Sequence, residues 1–258
     1  HVGLPDPSRR VALMTRAIPF LPLFLALSTS SPFWRGRTTG LLSYRPAAYD
    51  ELPRTGLPPA FAADAEYRQY VAALTSGGII PDESYVWWSI RPSLAHPTLE
   101  LRIADACTAA EDSVAIALLF RALIHRLDTD PDYGPPGDQV VRALTEENRW
   151  RIQRDGLEAR IAGLGGEAPV LAREAIGRLV DDLMPDAARL GGAGDLAGER
   201  AILDFGTSAQ RQLEIFANAR EGDHSRDDAL FRVASWLARA TTDAHSFVPA
   251  ARLDGTDH

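Results

Sequence analysis

The sequence contains no lysine, and all 27 of its basic residues are arginine. A Schiff-base lysine and a lysine-bearing phosphate loop are therefore excluded. Cysteine is almost as scarce. Cys107 stands alone, so neither an intrachain disulfide nor a cysteine zinc cluster can form. A lone thiol suits a reducing, cytoplasmic setting, with Cys107 as a small buried residue. The six histidines (His1, His96, His125, His224, His245 and His258) are scattered, without metalloprotease spacing. His125 reads as a surface or half-buried residue and not as a ligand. No GxGxxG follows an expected strand and no GxSxG elbow occurs. Long apolar runs are missing too. Ile18 to Leu27 is about ten residues long and holds Pro19 and Pro22, too short for a bilayer span, and reads as a buried, kinked helix. With a net charge of −8, bulk electrostatics favour neither nucleic acid nor an anionic membrane as partner. What remains is arginine, glutamate and hydroxyl chemistry, which suits phosphate.

What is present centres on Tyr85 to Asp105, YVWWSIRPSLAHPTLELRIAD. Two runs alternate as strands do, Tyr85–Arg91 and Thr98–Ala104, separated by a connection carrying Pro92 and Pro97. Period-two geometry puts Leu99, Leu101 and Ile103 on one face of the second run and Thr98, Glu100 and Arg102 on the other. In the first run Trp88 and Ile90 oppose Trp87, Ser89 and Arg91. A paired sheet would thus have one apolar face and one face bearing a carboxylate and two guanidiniums. Those groups fit a metal-bound polyphosphate, with a hard oxygen for Mg²⁺ beside planar phosphate-gripping cations. On pattern alone a cross-strand ion pair on a solvated face is the commoner reading, since charged residues on the open side of an antiparallel sheet are ordinary.

The 258 residues, 45% hydrophobic, suffice for a large buried core. Pro7–Ser28 has helical spacing, with Asp6 as N-cap and Pro7 in the first turn. Ser28–Arg45 reads as a long ordered loop whose Arg35, Arg37 and Arg45 could line an anion site. Tyr44–Phe61 continues irregularly, and Asp64–Ser76 is a helix with Tyr67, Val71 and Leu74 inward, stopped by Gly77 and Gly78. Helices follow over Asp112–Leu127, Val140–Leu164, Val170–Leu190, Leu196–Asp204, Ser208–Ala219 and Arg226–Ala240. Thr207 or Ser208 caps the fifth of these, and Asp223–Ser225 the last. Phe247–His258 reads as a frayed, disordered tail.

Several blocks, taken together, resemble the carboxylate-amine ligases of the type 2 glutamate–cysteine ligase family. They are the opening HVG, then FLPLFLALSTSSPFWRGRTTGLLSYR, DELPRTGLPP, WWSIRPSLAHPTLELRIAD, ENRWRIQRDGLEA and GTSAQRQL, in the family's order over nearly the whole chain. The resemblance implies an α+β fold like that of glutamine synthetase, an antiparallel sheet with helices on its outer face. Residues 1–246 would be the C-terminal part of a single catalytic domain, helix-rich and with an incomplete sheet, belonging to something longer. It also implies an enzyme using ATP and Mg²⁺ to phosphorylate a carboxylate, often the γ-carboxylate of glutamate. An amine such as cysteine then attacks the acyl phosphate. Amino acids would be its small-molecule partners, and a homodimer is compatible with the family.

Carried onto this sequence, the resemblance makes Glu100 the strand glutamate that ligates Mg²⁺. Arg102 would contact phosphate or the acyl phosphate, and Arg91 would hold phosphate or substrate carboxylate. His1 matches the second histidine of a His-Val-His-Val-Gly strand and would be a metal or nucleotide contact. Arg37 and Arg45 lie in the family's loop as weaker nucleotide contacts. Two positions depart from the pattern, with Ser89 where relatives read WWDIRPS and Thr38 where some carry aspartate. They leave the amine open. Two other readings stand beside this one, a non-catalytic helical scaffold derived from the fold and a guanidino-phosphorylating relative.

Overall fold

The computed structural model describes residues 1–191 and 197–242. The expected tail Phe247–His258 lies outside the described residues.

The chain starts with a short strand, β1 (Val2–Gly3), and enters helix α1 (Pro7–Ala17) as its sequence dictates. Asp6 is the N-cap, its carboxylate accepting the Ser8 N–H at 2.9 Å, and Pro7 occupies the first turn, where a missing N–H costs nothing. Pro19 and Pro22 cannot continue an α-helical ladder. The chain answers with a single 3₁₀ turn, Ile18–Phe20, before α2 (Leu21–Ser28). Helix therefore runs through Pro7–Ser28, 22 residues, longer than the apolar run Ile18–Leu27 within it. By length and composition alone it could cross a membrane, but 67% of its apolar window is buried inside the protein. Leu21, Phe24 and Leu25 are fully buried, and the Phe24 ring meets that of Phe120 edge-on at 5.7 Å. It is the central core helix.

The stretch after α2, expected as a loop, contains a small hairpin, β2 (Phe33–Trp34) with β3 (Arg37–Thr38), and a short helix, α3 (Arg45–Tyr49). Helix α4 (Asp64–Ser76) follows the expected bounds, with Tyr67 buried. The two alternating runs give shorter strands than expected, β4 (Ile90–Pro92) and β5 (Thr98–Leu101). Glu83–Tyr85 is a 3₁₀ turn, and Trp87 and Ser89 donate their N–H groups to the carbonyls of Arg54 and Gly56 in a loop, both at 2.8 Å. One-sided bonding to a loop gives no ladder. The sheet is antiparallel and open, in the order β1-β5-β4. Ile90 and Leu99 are fully buried on the face toward α1, as period two requires.

Helix α5 (Ala110–Thr129) packs against α1 and against α7 (Ala172–Arg189). Between them in sequence, α6 (Gln139–Asp155) ends well short of the expected Leu164. Gly156 ends it with φ +58° and ψ −128°, a conformation open essentially to glycine alone. The freed segment forms β6 (Arg160–Ile161), which pairs with β7 (Val170–Leu171), so the next helix begins at Ala172. Helix α8 (Ala197–Phe205) leads to α9 (Ser208–Glu221) and α10 (Arg226–Thr242). Thr207 caps α9, its own N–H donating to Gln210 Oε1 at 2.8 Å, and Ser225 Oγ accepts the Asp228 N–H at the start of α10. Helix-rich α+β describes the whole.

Candidate functional site

In the β4–β5 register Arg91 stands directly opposite Glu100. Their side chains share the face away from the core and meet, Arg91 Nε donating to Glu100 Oε2 at 2.9 Å. Arg102 follows β5, its backbone held by an N–H bond to the Ser89 carbonyl, and its Nη1 donates to Glu100 Oε1 at 2.9 Å. Strand β1 delivers His1 from the other side. Its Nδ1 lies 3.0 Å from Thr98 Oγ1 and its Nε2 3.7 Å from Glu100 Oε1. Four of the six residues expected at the site therefore meet at one carboxylate.

The cluster is half-buried, with Arg91, Glu100 and Arg102 side chains 17, 16 and 22% exposed. Burial alone would raise the Glu100 pKa. The hydrogen bond and charge of Arg91, then those of Arg102, outweigh it and hold the carboxyl below its ordinary value. Arg91 is fixed further, Nη1 donating to the carbonyls of Ser84 at 2.9 Å and Val86 at 2.7 Å. The 3₁₀ turn that shortens the strand thus also clamps an arginine. One carboxylate against two guanidiniums leaves the cluster positive, so an anion is attracted to it.

Arg45, the fifth expected residue, is joined through backbone. Its Nη1 donates to the Arg102 carbonyl at 3.1 Å, and its guanidinium lies 5.1 Å over the Tyr49 ring. Arg37 is different. It is exposed on the β2–β3 hairpin and shares no hydrogen bond, ion pair or cavity wall with Glu100 among the described residues, because the hairpin turns it outward.

Beside the cluster is a small cavity of about 30 Å³, room for a carboxylate-sized group, walled by Arg45, Arg102, Arg149, Ser89, Trp87 and Asp50. Arg102 Nε is buried there without a hydrogen-bond partner among the described residues. Arg149 is held by Asp50 at 2.9 Å and Glu146 at 3.0 Å. Neither Arg149 nor Asp50 was singled out from the sequence, although both lie in the blocks DELPRTGLPP and ENRWRIQRDGLEA. A third missed residue is Asp105, 5% exposed, whose Oδ2 accepts from Ser30 N at 3.0 Å and Ser31 Oγ at 2.8 Å. It pins the loop that carries Arg45, since Ser31 Oγ also accepts the Arg45 N–H.

Mg²⁺ has a limited set of donors here. No group of three or more His, Cys, Asp or Glu side chains suited to a metal occurs among the described residues. Glu100 offers one hard oxygen and His1 an imidazole, a softer donor that Mg²⁺ does not favour. The set fits an ion that takes one carboxylate and completes its shell with water and phosphate oxygens. It does not fit a protein-only cage. Cys107 plays no part, since burial pushes its thiol up to about 11, far from a reactive thiolate.

The profile of the glutamate-cysteine ligase family 2 matches residues 1–229. Among curated proteins, the chain is 48% identical over 241 residues to "Putative glutamate--cysteine ligase 2" of Bradyrhizobium sp. (strain ORS 278), covering 93% of this chain and 57% of that protein. The proteins of the same name from Rhodospirillum rubrum and Ectopseudomonas mendocina are 45 and 41% identical, over 93 and 95% of this chain and 62 and 64% of theirs. The chain thus spans between half and two-thirds of the length of these relatives.

Proposed function

The chain belongs to the glutamate-cysteine ligase family 2, and from that premise we propose that it carries phosphate- and carboxylate-handling residues of an ATP-dependent carboxylate-amine ligase. Residues 1–246 would form part of one catalytic domain, with the rest of the site supplied by the further length seen in relatives. The observation that supports this reading best is the convergence of Arg91, Arg102 and His1 on Glu100, on a half-buried but open sheet face.

Bound Mg²⁺-ATP would supply the phosphoryl group that activates a substrate carboxylate, the γ-carboxylate of glutamate being the expected one, as an acyl phosphate for attack by an amine such as cysteine. The work left to this chain is positioning and charge neutralisation. Glu100 would give its oxygen to Mg²⁺, which requires Arg102 to swing off Oε1. The free Arg102 then faces the oxygens of the transferring group, and its unpartnered Nε gives it a second donor for them. Arg91, clamped by two carbonyls, stays as the fixed cation and keeps Glu100 ionised. Arg45 and Arg149 would orient the carboxylate-bearing end of the acid across the small cavity. Ser89, a neutral hydroxyl on that wall, leaves the choice of amine open.

Calorimetric titration of the chain with Mg²⁺-ATP tests this. Saturable binding is expected, reduced at least tenfold by Glu100→Gln. Binding of equal strength in both proteins would remove Glu100 from the nucleotide site and leave it an ion-paired strand residue. Product analysis separates ligation, which yields an amide and free phosphate, from guanidino phosphorylation, which yields a phosphorylated guanidine.

A further inference from the structure

Helices α9 and α10 pack on one another as an antiparallel hairpin. The buried residues of α10 are Ala229, Val233, Trp236 and Ala240, a single stripe at i, i+4, i+7 and i+11. Two helices cannot close the groove between them, and a cavity of about 600 Å³ lies along it. Its deeper lining is apolar, from Ile215 and Trp236, and Phe231 stands 73% exposed beside them. The charged lining is Arg211, Arg232 and Arg239. No acidic side chain lines the groove among the described residues, although the chain as a whole carries a net charge of −8. It is therefore a cationic, aromatic-edged face on an acidic protein.

The three arginines keep their charge for something else. Arg239 is exposed and makes no hydrogen bond or ion pair among the described residues. Arg232 donates through Nη2 to His224 Nε2 at 3.0 Å. An imidazole nitrogen that accepts a hydrogen bond belongs to a neutral ring, so this contact aims the guanidinium without neutralising it. Arg211 pairs only with Glu214, one turn along α9, at 3.0 Å with the two side chains 46 and 59% exposed. Such a surface pair holds little and yields to a better-placed anion. Asp228 is turned back to Ser225 Oγ at 2.6 Å, where α10 begins. Along α10, Arg232 and Arg239 stand at i and i+7, about 10 Å apart at the helical rise, with Trp236 between them.

We infer that this groove docks an acidic amphipathic helix of a partner protein, laid along α10 as the third helix of a bundle. Its carboxylates, at i and i+7, meet Arg232 and Arg239, and its apolar residues at i+3 and i+4 cover Ile215, Phe231 and Trp236. Charge complementarity selects this occupant. A helix set alongside another repeats the same i, i+7 spacing, so both ion pairs form without distortion. An apolar helix would cover three guanidiniums and pair none of them. A small anion would leave Phe231 in water, and a groove open along one side does not enclose a small ligand as a binding pocket does. The groove shares no lining residue with the cavity beside the Glu100 cluster, so the inference does not depend on the nucleotide reading.

The test is fluorescence anisotropy of a fluorescein-labelled synthetic helix of about four turns, with glutamates at i and i+7 and leucines at i+3 and i+4 on one face. It is titrated with the 258-residue chain as wild type, Arg239→Glu and Phe231→Ser. Both positions are exposed, so the substitutions leave folding intact, which circular dichroism verifies. Two control peptides carry glutamine for the two glutamates, or serine for the two leucines. Saturable binding of the first peptide by the wild type is expected. Each variant and each control peptide should weaken it by about tenfold or more, the loss appropriate to a charge-assisted or apolar anchor. Four results would overturn the inference. They are no saturable binding by the folded wild type, equal binding of the glutamine peptide, equal binding by Arg239→Glu, and sedimentation of the chain as a dimer that Phe231→Ser separates. The last would give the groove to a second copy of the chain. Mg²⁺-ATP titration of the same variants should match that of the wild type.

Discussion

Replacing Asp186 by asparagine should destabilise the protein by about 2–3 kcal/mol at pH 7. The side chain is fully buried and joins α7 to α5 through His125 at 2.7 Å and Arg126 at 2.6 Å. Removing one partner of a fully buried ion pair costs about 3–5 kcal/mol, mostly because the other charge is stranded. Here the partners are 28 and 21% exposed, and Arg126 keeps a bond to the Asp182 carbonyl at 3.0 Å and a ring contact with Tyr133 at 5.0 Å. The stranded charge can therefore reach water, which argues for the lower figure. Asparagine still accepts from His125, but its amide N–H₂ then faces the Arg126 donors. The pH dependence has a definite sign. Burial raises the Asp186 pKa, while Arg126 and His125 together lower it below 3.8. Its stabilisation is present above the unfolded-state value and is lost as pH falls through the folded one. Urea unfolding at pH 7 should show a shifted midpoint at unchanged slope, with a fall in Tm of roughly 5–10 °C. The gap between the two proteins should close as acidification carries the lowered Asp186 carboxyl to its protonated form. A loss under about 1 kcal/mol at pH 7, or a gap that persists in acid, would refute the reasoning.

Three further outcomes follow from single positions. Gly156→Ala should cost about 2–4 kcal/mol in urea unfolding, because φ is positive and the new Cβ would lie 2.6 Å from Leu42 Cδ1; a cost below about 1 kcal/mol would mean the chain after α6 re-forms at no strain. Cys107, half-buried and with its thiol raised to about 11, should alkylate with iodoacetamide far more slowly than free cysteine at pH 8 and at the free rate in urea; equal rates in the folded protein would contradict that raised thiol. Phe24→Ala should cost about 3–5 kcal/mol by thermal or urea unfolding, since the ring is fully buried against Phe120; a small loss would show that the core collapses around α2.

What the sequence made legible has a common cause. Asp6 and Pro7, the helix Asp64–Ser76, the Thr207 cap and the face shared by Arg91, Glu100 and Arg102 all depend on neighbours within a few residues. Local periodicity and capping chemistry reach that far. The shortened β4 was not legible because Trp87 and Ser89 alternate as strand residues do while their N–H groups bond to Arg54 and Gly56, more than thirty positions earlier in a loop. The early end of α6 turns on one glycine inside an otherwise helical pattern, and only its φ reveals it.

The same distinction separates the Glu100 cluster from His125 and its partner. The Glu100 cluster could be read in advance because a single strand pair makes it, so period two alone predicts who faces whom. His125 could not. Its place near the end of α5 is visible, but Asp186, whose Oδ1 lies 2.7 Å from its Nδ1, is 61 positions away on another helix. Taken alone, His125 reads as a surface or half-buried side chain, and its side chain is indeed 28% exposed. What the sequence does not show is that Asp186 stands behind it and fixes one of its two nitrogens. Chemistry at a histidine is set by the partner of its other nitrogen, and that partner is a tertiary fact.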